Sequence, residues 1–425
     1  MLKRIFINKN VALLVIGGMV SLIGSEMQSF ALSLYVLNKT GSITTFASVL
    51  AIAMIPRVVL SPFVGVLVDW IDRKKIIVTF DFIRSIILFY FYHQYLMAGT
   101  LSIFQIYTLV LILSFCSIVF QPAINAVIPL IVSDEEIIKA NSINIFLINL
   151  GRLVSPAIAG ILLSFIGLRI ILLIDAISFL LSAISEGFIE IPKNAINFSQ
   201  MNLKRYKMDF KEGIEYMLKN SRVINIILFG IIINFAFEGF YSIGIVYVSK
   251  KVFVVSDSLY GMLQSIIIIA MTIAPLLTSK IHKKIKFEKL ILFNFVIISG
   301  LMCLLSLLST SVFNNLFSSN VVPFIIFTVI VFLIMFITTI GNISLFTTFQ
   351  MIVPNDMLGR VGTLMDTGLM LSIPISQILF SFVFQVTSAW FSLLFSAAIM
   401  ICAVFFMSNR FSIESQKASL IQGKN

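Results

Sequence analysis

The sequence predicts an all-α polytopic membrane protein with twelve transmembrane helices in two six-helix pseudo-repeats. Three observations lead there. First, 59% of the 425 residues are hydrophobic and the mean hydropathy is +1.07, whereas a soluble domain carries roughly 45–50% apolar residues. Second, apolar stretches of the length needed to cross a hydrocarbon core of about 30 Å recur along the whole chain. The short alternating segments of about 10 residues that mark a membrane β-barrel are not the pattern seen. Third, the basic residues sort by side.

Apolar runs broken by polar or Gly/Pro/Asn clusters place the spans at 11–37, 44–68, 76–97, 102–131, 138–166, 168–190, 221–249, 256–280, 286–308, 320–349, 356–385 and 388–409. The first follows MLKRIFINKN and reads as a retained span, because the apolar run is long and no small-x-small cleavage site follows it. The fifth and sixth are separated only by Gly167 to Arg169, and the eleventh and twelfth only near Thr387 and Ser388.

With the N-terminus placed inside, 23 of the 30 basic residues fall in cytoplasmic segments, four (Lys39, Arg169, Lys250 and Lys251) fall outside, and Arg57, Arg84 and Arg152 lie within spans. Such asymmetry sets orientation in a bilayer, with both termini cytoplasmic. The formal charge of +11 then reports topology and contact with anionic membrane lipid, and nucleic acid is not an expected partner.

Residues 191–220 form the longest polar interval and divide the chain into an N-terminal bundle (1–190), a cytoplasmic linker and a C-terminal bundle with a short tail (221–425). The linker reads as a tether. Within it, Asp209 to Leu218 can form an amphipathic surface helix with Phe210, Ile214, Met217 and Leu218 on one side.

The two halves share residues at nearly fixed offsets. Glu26, Tyr35, Val36 and Lys39 match Glu238, Tyr247, Val248 and Lys251 at 212; Pro62 matches Pro275 at 213; ILLSF from Ile161 matches ILFSF from Ile378 at 217. Parallel six-span repeats give such spacing.

The turn between spans two and three reads GVLVDWIDRKKI, and five of the seven residues from Asp69 to Lys75 are charged. Gly65, Leu67, Asp69, Arg73 and Lys74 resemble the loop motif of the major facilitator superfamily, roughly G-x-L-a-D-R-x-G-R-R. Trp70 and Asp72 depart from it. The D-x-x-D-R-K-K form is similar to the branch containing bacterial macrolide-efflux permeases. The resemblance implies a cytoplasmic latch with Asp69 as its carboxylate and Asp72, Arg73, Lys74, Asp81 and Arg84 in its network. A plain positive-inside stop signal would need the basic residues alone.

In span five, LGRLVSPAIAG resembles an exporter-associated pattern, G-x-x-x-G-P-x-x-G-G, through Gly151, Pro156 and Gly160, with Ser155 and Ala159 where glycines are usual. Small residues so spaced pack backbone on backbone. The role is either ordinary helix packing or a seal against leak, with Arg152 inside the same segment.

Ionisable side chains at membrane depth are default functional candidates. Glu26 in span one is the first choice for a proton carrier and Glu238 in span seven the second, since a carboxyl removed from water can take up a proton from one side and release it when hydration changes. The alternative for each is a structural partner for an arginine, and Arg152 makes that the preferred reading for Asp175 and Glu186. Gln28, Asn144, Asn149, Asn234, Tyr241 and Gln377 are candidates for a cavity lining, with interhelical hydrogen bonding as the commoner use of the amides.

No phosphate-cradling G-x-x-x-x-G-K-[ST] segment is present, and two histidines and three dispersed cysteines support neither a metal centre nor a disulfide framework. The cysteines read as packing residues. No cofactor and no catalytic residue are expected. The resulting expectation is a secondary active exporter of small hydrophobic, drug-like compounds, coupled to protons, acting as a monomer in a bacterial cytoplasmic membrane. A siderophore or lysolipid carrier and a non-transporting scaffold are the alternatives.

Overall fold

Among the described residues, twelve helices are long and apolar enough to cross a membrane, each close to where the hydropathy pattern places it. The computed structural model describes residues 9–70, 72–131, 137–190, 203–282 and 287–422. Spans one to six are the helices Lys9–Thr40, Ile43–Trp70, Arg73–Ala98, Ile103–Ile131, Ile137–Phe165 and Leu168–Gly187. Span seven runs over Ser221–Val252. Spans eight to twelve are Asp257–His282, Phe287–Leu308, Val321–Ile352, Asn355–Val386 and Ala389–Gln422.

The least marked boundaries have local causes. Gly167 sits at φ 91°, a conformation that side-chain-bearing residues avoid, and its N–H closes span five on the Leu162 carbonyl at 2.9 Å. One residue therefore suffices to reverse the chain. Between spans eleven and twelve, Thr387 is extended (φ −123°, ψ 175°), and its hydroxyl lies 2.9 Å from that of Ser392.

Span three starts at Arg73, three residues before the expected position, because Asp72 caps it: the carboxylate accepts the Lys74 N–H at 2.9 Å. Loss of such a cap destabilises by about 1 kcal/mol. Asp72→Ala is accordingly expected to lower unfolding stability by about 1 kcal/mol, measured as the shift in denaturation midpoint of the purified protein.

Two contact units emerge, Met1–Gln200 with Ser256–Ile268, and Met201–Val255 with Ile269–Asn425. In the first, span six packs broadly on spans one and three, span one also meets span five, and span three meets span four. In the second, the same pairings return six spans later: span twelve on spans seven and nine, span seven on eleven, nine on ten. The pseudo-repeat seen in the sequence offsets is thus a repeat of helix pairing.

Side chains such as Leu32, Leu88, Ile171 and Phe179 fill the first unit, while Phe229 and Phe295 meet edge to face in the second at 5.6 Å. Large apolar residues such as Phe104 and Phe165 point outward, as lipid-facing positions do. Cys116 is packed as expected. Cys402 is not, being exposed on the outer face of its helix.

The linker departs from a simple tether. A helix spans Leu203–Lys219, longer than the expected Asp209–Leu218, and docks on the start of span eleven. Gly213 allows that contact, since a Cβ there would stand 3.3 Å from Arg360, whose guanidinium meets Glu212 at 2.5 Å. Ile214 and Met217 are half-buried, but Leu218 is exposed, because the docking face is set by Gly213 and Glu212 as well as by apolar residues.

Candidate functional site

Spans seven and eleven are joined by a polar seam. Asn234 donates its side-chain amide to Ser372 Oγ at 2.8 Å and to the Leu369 carbonyl at 3.2 Å. One turn along, Ser376 donates to the Phe235 carbonyl at 2.5 Å. The adjacent Gln377 donates through Nε2 to Glu238 Oε1 at 3.0 Å, and the Ser242 hydroxyl donates to the same oxygen.

Close approach at Glu238 depends on Gly239, where a Cβ would overlap the Phe380 ring. The helix widens into π turns over Gly239–Gly244 and again over Val248–Val252, geometry that is rare and often local to functional positions. The hydrogen-bond partners of Glu238 among the described residues are thus neutral, a hydroxyl and an amide. Tyr241, on the same stretch, stacks on Phe237 with ring centroids 6.2 Å apart.

Glu26 has a different environment. Its Oε1 accepts from Arg152 Nε at 3.2 Å, and the pair is 38% and 55% exposed, respectively. The expected pairing of Arg152 with Asp175 or Glu186 is therefore corrected: span five faces span one with Arg152, while the two acids on span six face spans one and three. Facing is set by helix rotation, which hydropathy does not reveal.

The span-five segment makes close contacts on two sides. A Cβ at Gly151 would press on Leu22 and Ile23 of span one (3.2 and 3.3 Å), and Ser155 donates to the Gly151 carbonyl at 2.7 Å. On the other side, the Pro156 carbonyl lies against Gly261 and the Asp257 carbonyl against Gly160, so that spans five and eight touch through backbone. Ser265 adds a hydrogen bond to the Leu153 carbonyl at 2.6 Å. The SLYG stretch from Ser258 to Gly261 thus complements the span-five motif, a role the sequence reading missed.

The residues assigned to the latch fall into groups. The side chains of 61–71, Gly65 and Asp69 included, lie outside the described residues, as does that of Asn144. Asp72, Arg73 and Lys74 sit at the start of span three. Asp81 and Arg84 lie two to three turns further in and are fully buried, with Arg84 Nη1 3.0 Å from Asp81 Oδ1. Gln28 is buried on span one and Asn149 half-buried on span five; neither joins the Glu238 seam.

Comparison with known proteins agrees with this architecture. The family model of the Major Facilitator Superfamily matches residues 14–377. The chain belongs to that superfamily. A bacterial homologue of the iron transporter ferroportin, solved in an inward-facing state, shares the fold at a TM-score of 0.71 with 15% identity, covering 96% of this chain and 99% of that one. Macrolide efflux protein A of Streptococcus pyogenes is 28% identical over 228 residues, 52% of this chain and 54% of the relative. The Enterococcus faecalis protein of the same name is 28% identical over 193 residues, 44% of this chain and 57% of the relative. The chain thus matches about half the length of these curated relatives.

Proposed function

We propose that the chain is a secondary active exporter of small hydrophobic, drug-like compounds, macrolides among them, driven by proton antiport. Membership in the superfamily supports a transporter and not an enzyme, and the macrolide efflux proteins support the substrate class. In this reading the six-span bundles 1–190 and 221–425 alternate access to a monomer's central path across a bacterial cytoplasmic membrane, with both termini and the 191–220 linker on the cytoplasmic side. Asp69, Asp72, Arg73 and Lys74 act as the cytoplasmic latch, and Gly151, Pro156 and Gly160 hold span five closely packed.

The observation that carries the coupling is the Glu238 seam: a carboxyl within a span whose hydrogen-bond partners among the described residues are neutral groups. A group so placed changes charge when it takes up a proton, with no cation beside it among the described residues to fix it in the ionised form. Glu26 works through its ion pair, since protonation removes the charge that holds Arg152.

The test is transport of a panel of fluorescent hydrophobic compounds, macrolides included, in proteoliposomes with an imposed pH gradient. Gradient-driven movement of at least one compound is expected in the wild type, and its loss in Glu26→Gln. A panel that never moves under either sign of gradient removes the antiport reading; unaltered transport in Glu26→Gln removes Glu26 from it.

A further inference from the structure

Span six carries Asp175, Ser178, Ser182 and Glu186 at steps of three, four and four residues, which lines them up on one helical face about 16 Å long. That face is buried against span three, where it meets Asp81 and Arg84, and against span one. Gly24 of span one has no room for a Cβ, which would overlap Asp175 Oδ1 and Ser178 Oγ, and a Cβ at Gly17 would stand 3.3 Å from Ser185 and 3.5 Å from Ser182 Oγ. Arg84 lies beneath the rings of Phe120 and Phe179, 4.6 and 5.1 Å from their centroids.

The charges in this cluster do not balance. Asp81, Asp175 and Glu186 are each 0% exposed and Arg84 is 4% exposed. Arg84 forms its ion pair with Asp81. Asp175 Oδ1 receives the Ser178 hydroxyl at 3.3 Å, and Glu186 Oε1 receives that of Ser182 at 3.3 Å. Asp81 Oδ2, Asp175 Oδ2 and Glu186 Oε2 have no hydrogen-bond partner among the described residues, nor do Nε and Nη2 of Arg84.

Among the described residues, the other groups facing the acids bring no second cation: the Cys116 thiol from span four, the serine hydroxyls of span six, and the glycines of span one. Arg152 of span five is turned to Glu26. Three ionised carboxylates would leave two uncompensated negative charges in a dry interior, which strongly opposes folding. One guanidinium neutralises one acid. A proton on each of the two acids that Arg84 does not pair removes that charge.

We propose that this cluster is a buried proton-binding site, separate from Glu26 and Glu238, in which Asp81 stays ionised against Arg84 while Asp175 and Glu186 each carry a proton. Its use in transport rests on the antiport reading, but its occupancy does not. Span one covers Asp175 at Gly24, so exchange of that proton with water requires span one to move away from span six.

The experiment is infrared spectroscopy of the full-length protein in lipid vesicles at neutral pH. The expected result is a carbonyl-stretch signal from protonated buried carboxyls that shifts slowly after transfer to D2O, losing one component in Asp175→Asn and another in Glu186→Gln. Both amides resemble the protonated acid, so both variants should keep the wild-type melting temperature. Asp81→Asn strands Arg84 and should lower it sharply. A wild type lacking the signal, a signal untouched by both variants, or variants at 175 and 186 as unstable as Asp81→Asn would overturn the proposal. Gradient-driven transport without the signal would reject this site and leave antiport standing; the signal without transport of any panel compound would do the reverse.

Discussion

Gly261→Leu is expected to reduce the yield of folded protein severely and to lower the melting temperature of what remains. A Cβ at this position overlaps the Pro156 carbonyl oxygen and comes within 3.1 Å of its carbon and 3.3 Å of Ala157 Cα. These are backbone atoms of span five, which no rotamer change can move aside. Inserting atoms into a packed interior typically costs about 1–3 kcal/mol, and a contact that can relax only by separating two helices belongs at or above the top of that range. Separation would also break the Ser265 bond to the Leu153 carbonyl and bring Gly160 off the Asp257 carbonyl. Gly300→Leu is the control, because a Cβ there meets nothing within 4 Å. Equal melting temperatures for the two variants would show that the crossing of spans five and eight does not contribute to stability.

That crossing marks where sequence reading runs out. Span five announces itself through Gly151, Pro156 and Gly160, because small residues at fixed spacing are visible in one dimension. Its counterpart on span eight, SLYG from Ser258, is no less regular but gains meaning only once the two helices are known to touch. The spans themselves were legible almost throughout, since twenty apolar residues in a row have few ways to fold in lipid. Even the turn at Gly167 was visible as a break.

Charge pairing was not legible, for a physical reason. Hydropathy gives the approximate depth of a residue but not the rotation of its helix, so the sequence does not show which acid Arg152 faces. The rotation was partly recoverable. Asp175, Ser178, Ser182 and Glu186 recur at helical spacing, a polar stripe on an otherwise apolar span, which marks a face turned to protein and not to lipid. Likewise Gln377 and Glu238 were separate candidates, and only the packing of span eleven on span seven makes them one site.

Glu238→Gln is expected to uncouple transport from the proton gradient while leaving the fold intact. The substituted amide is the same size, and its oxygen can still accept from Ser242 and Gln377, which meet Glu238 Oε1 now. What it cannot do is take up and release a proton. A proton crossing 100 mV supplies roughly 2.3 kcal/mol. At about 1.4 kcal/mol for each factor of ten, this amounts to about fifty-fold in the substrate gradient sustained per coupled proton. The variant should therefore lose about that factor in gradient-driven accumulation and retain substrate exchange across vesicles with no imposed gradient. The two modes are measured in the same proteoliposomes, so that a folding defect, which would remove both, is told apart from uncoupling, which removes one. Undiminished accumulation in Glu238→Gln would exclude this carboxyl as a carrier and move the coupling to Glu26 or to the acids on span six.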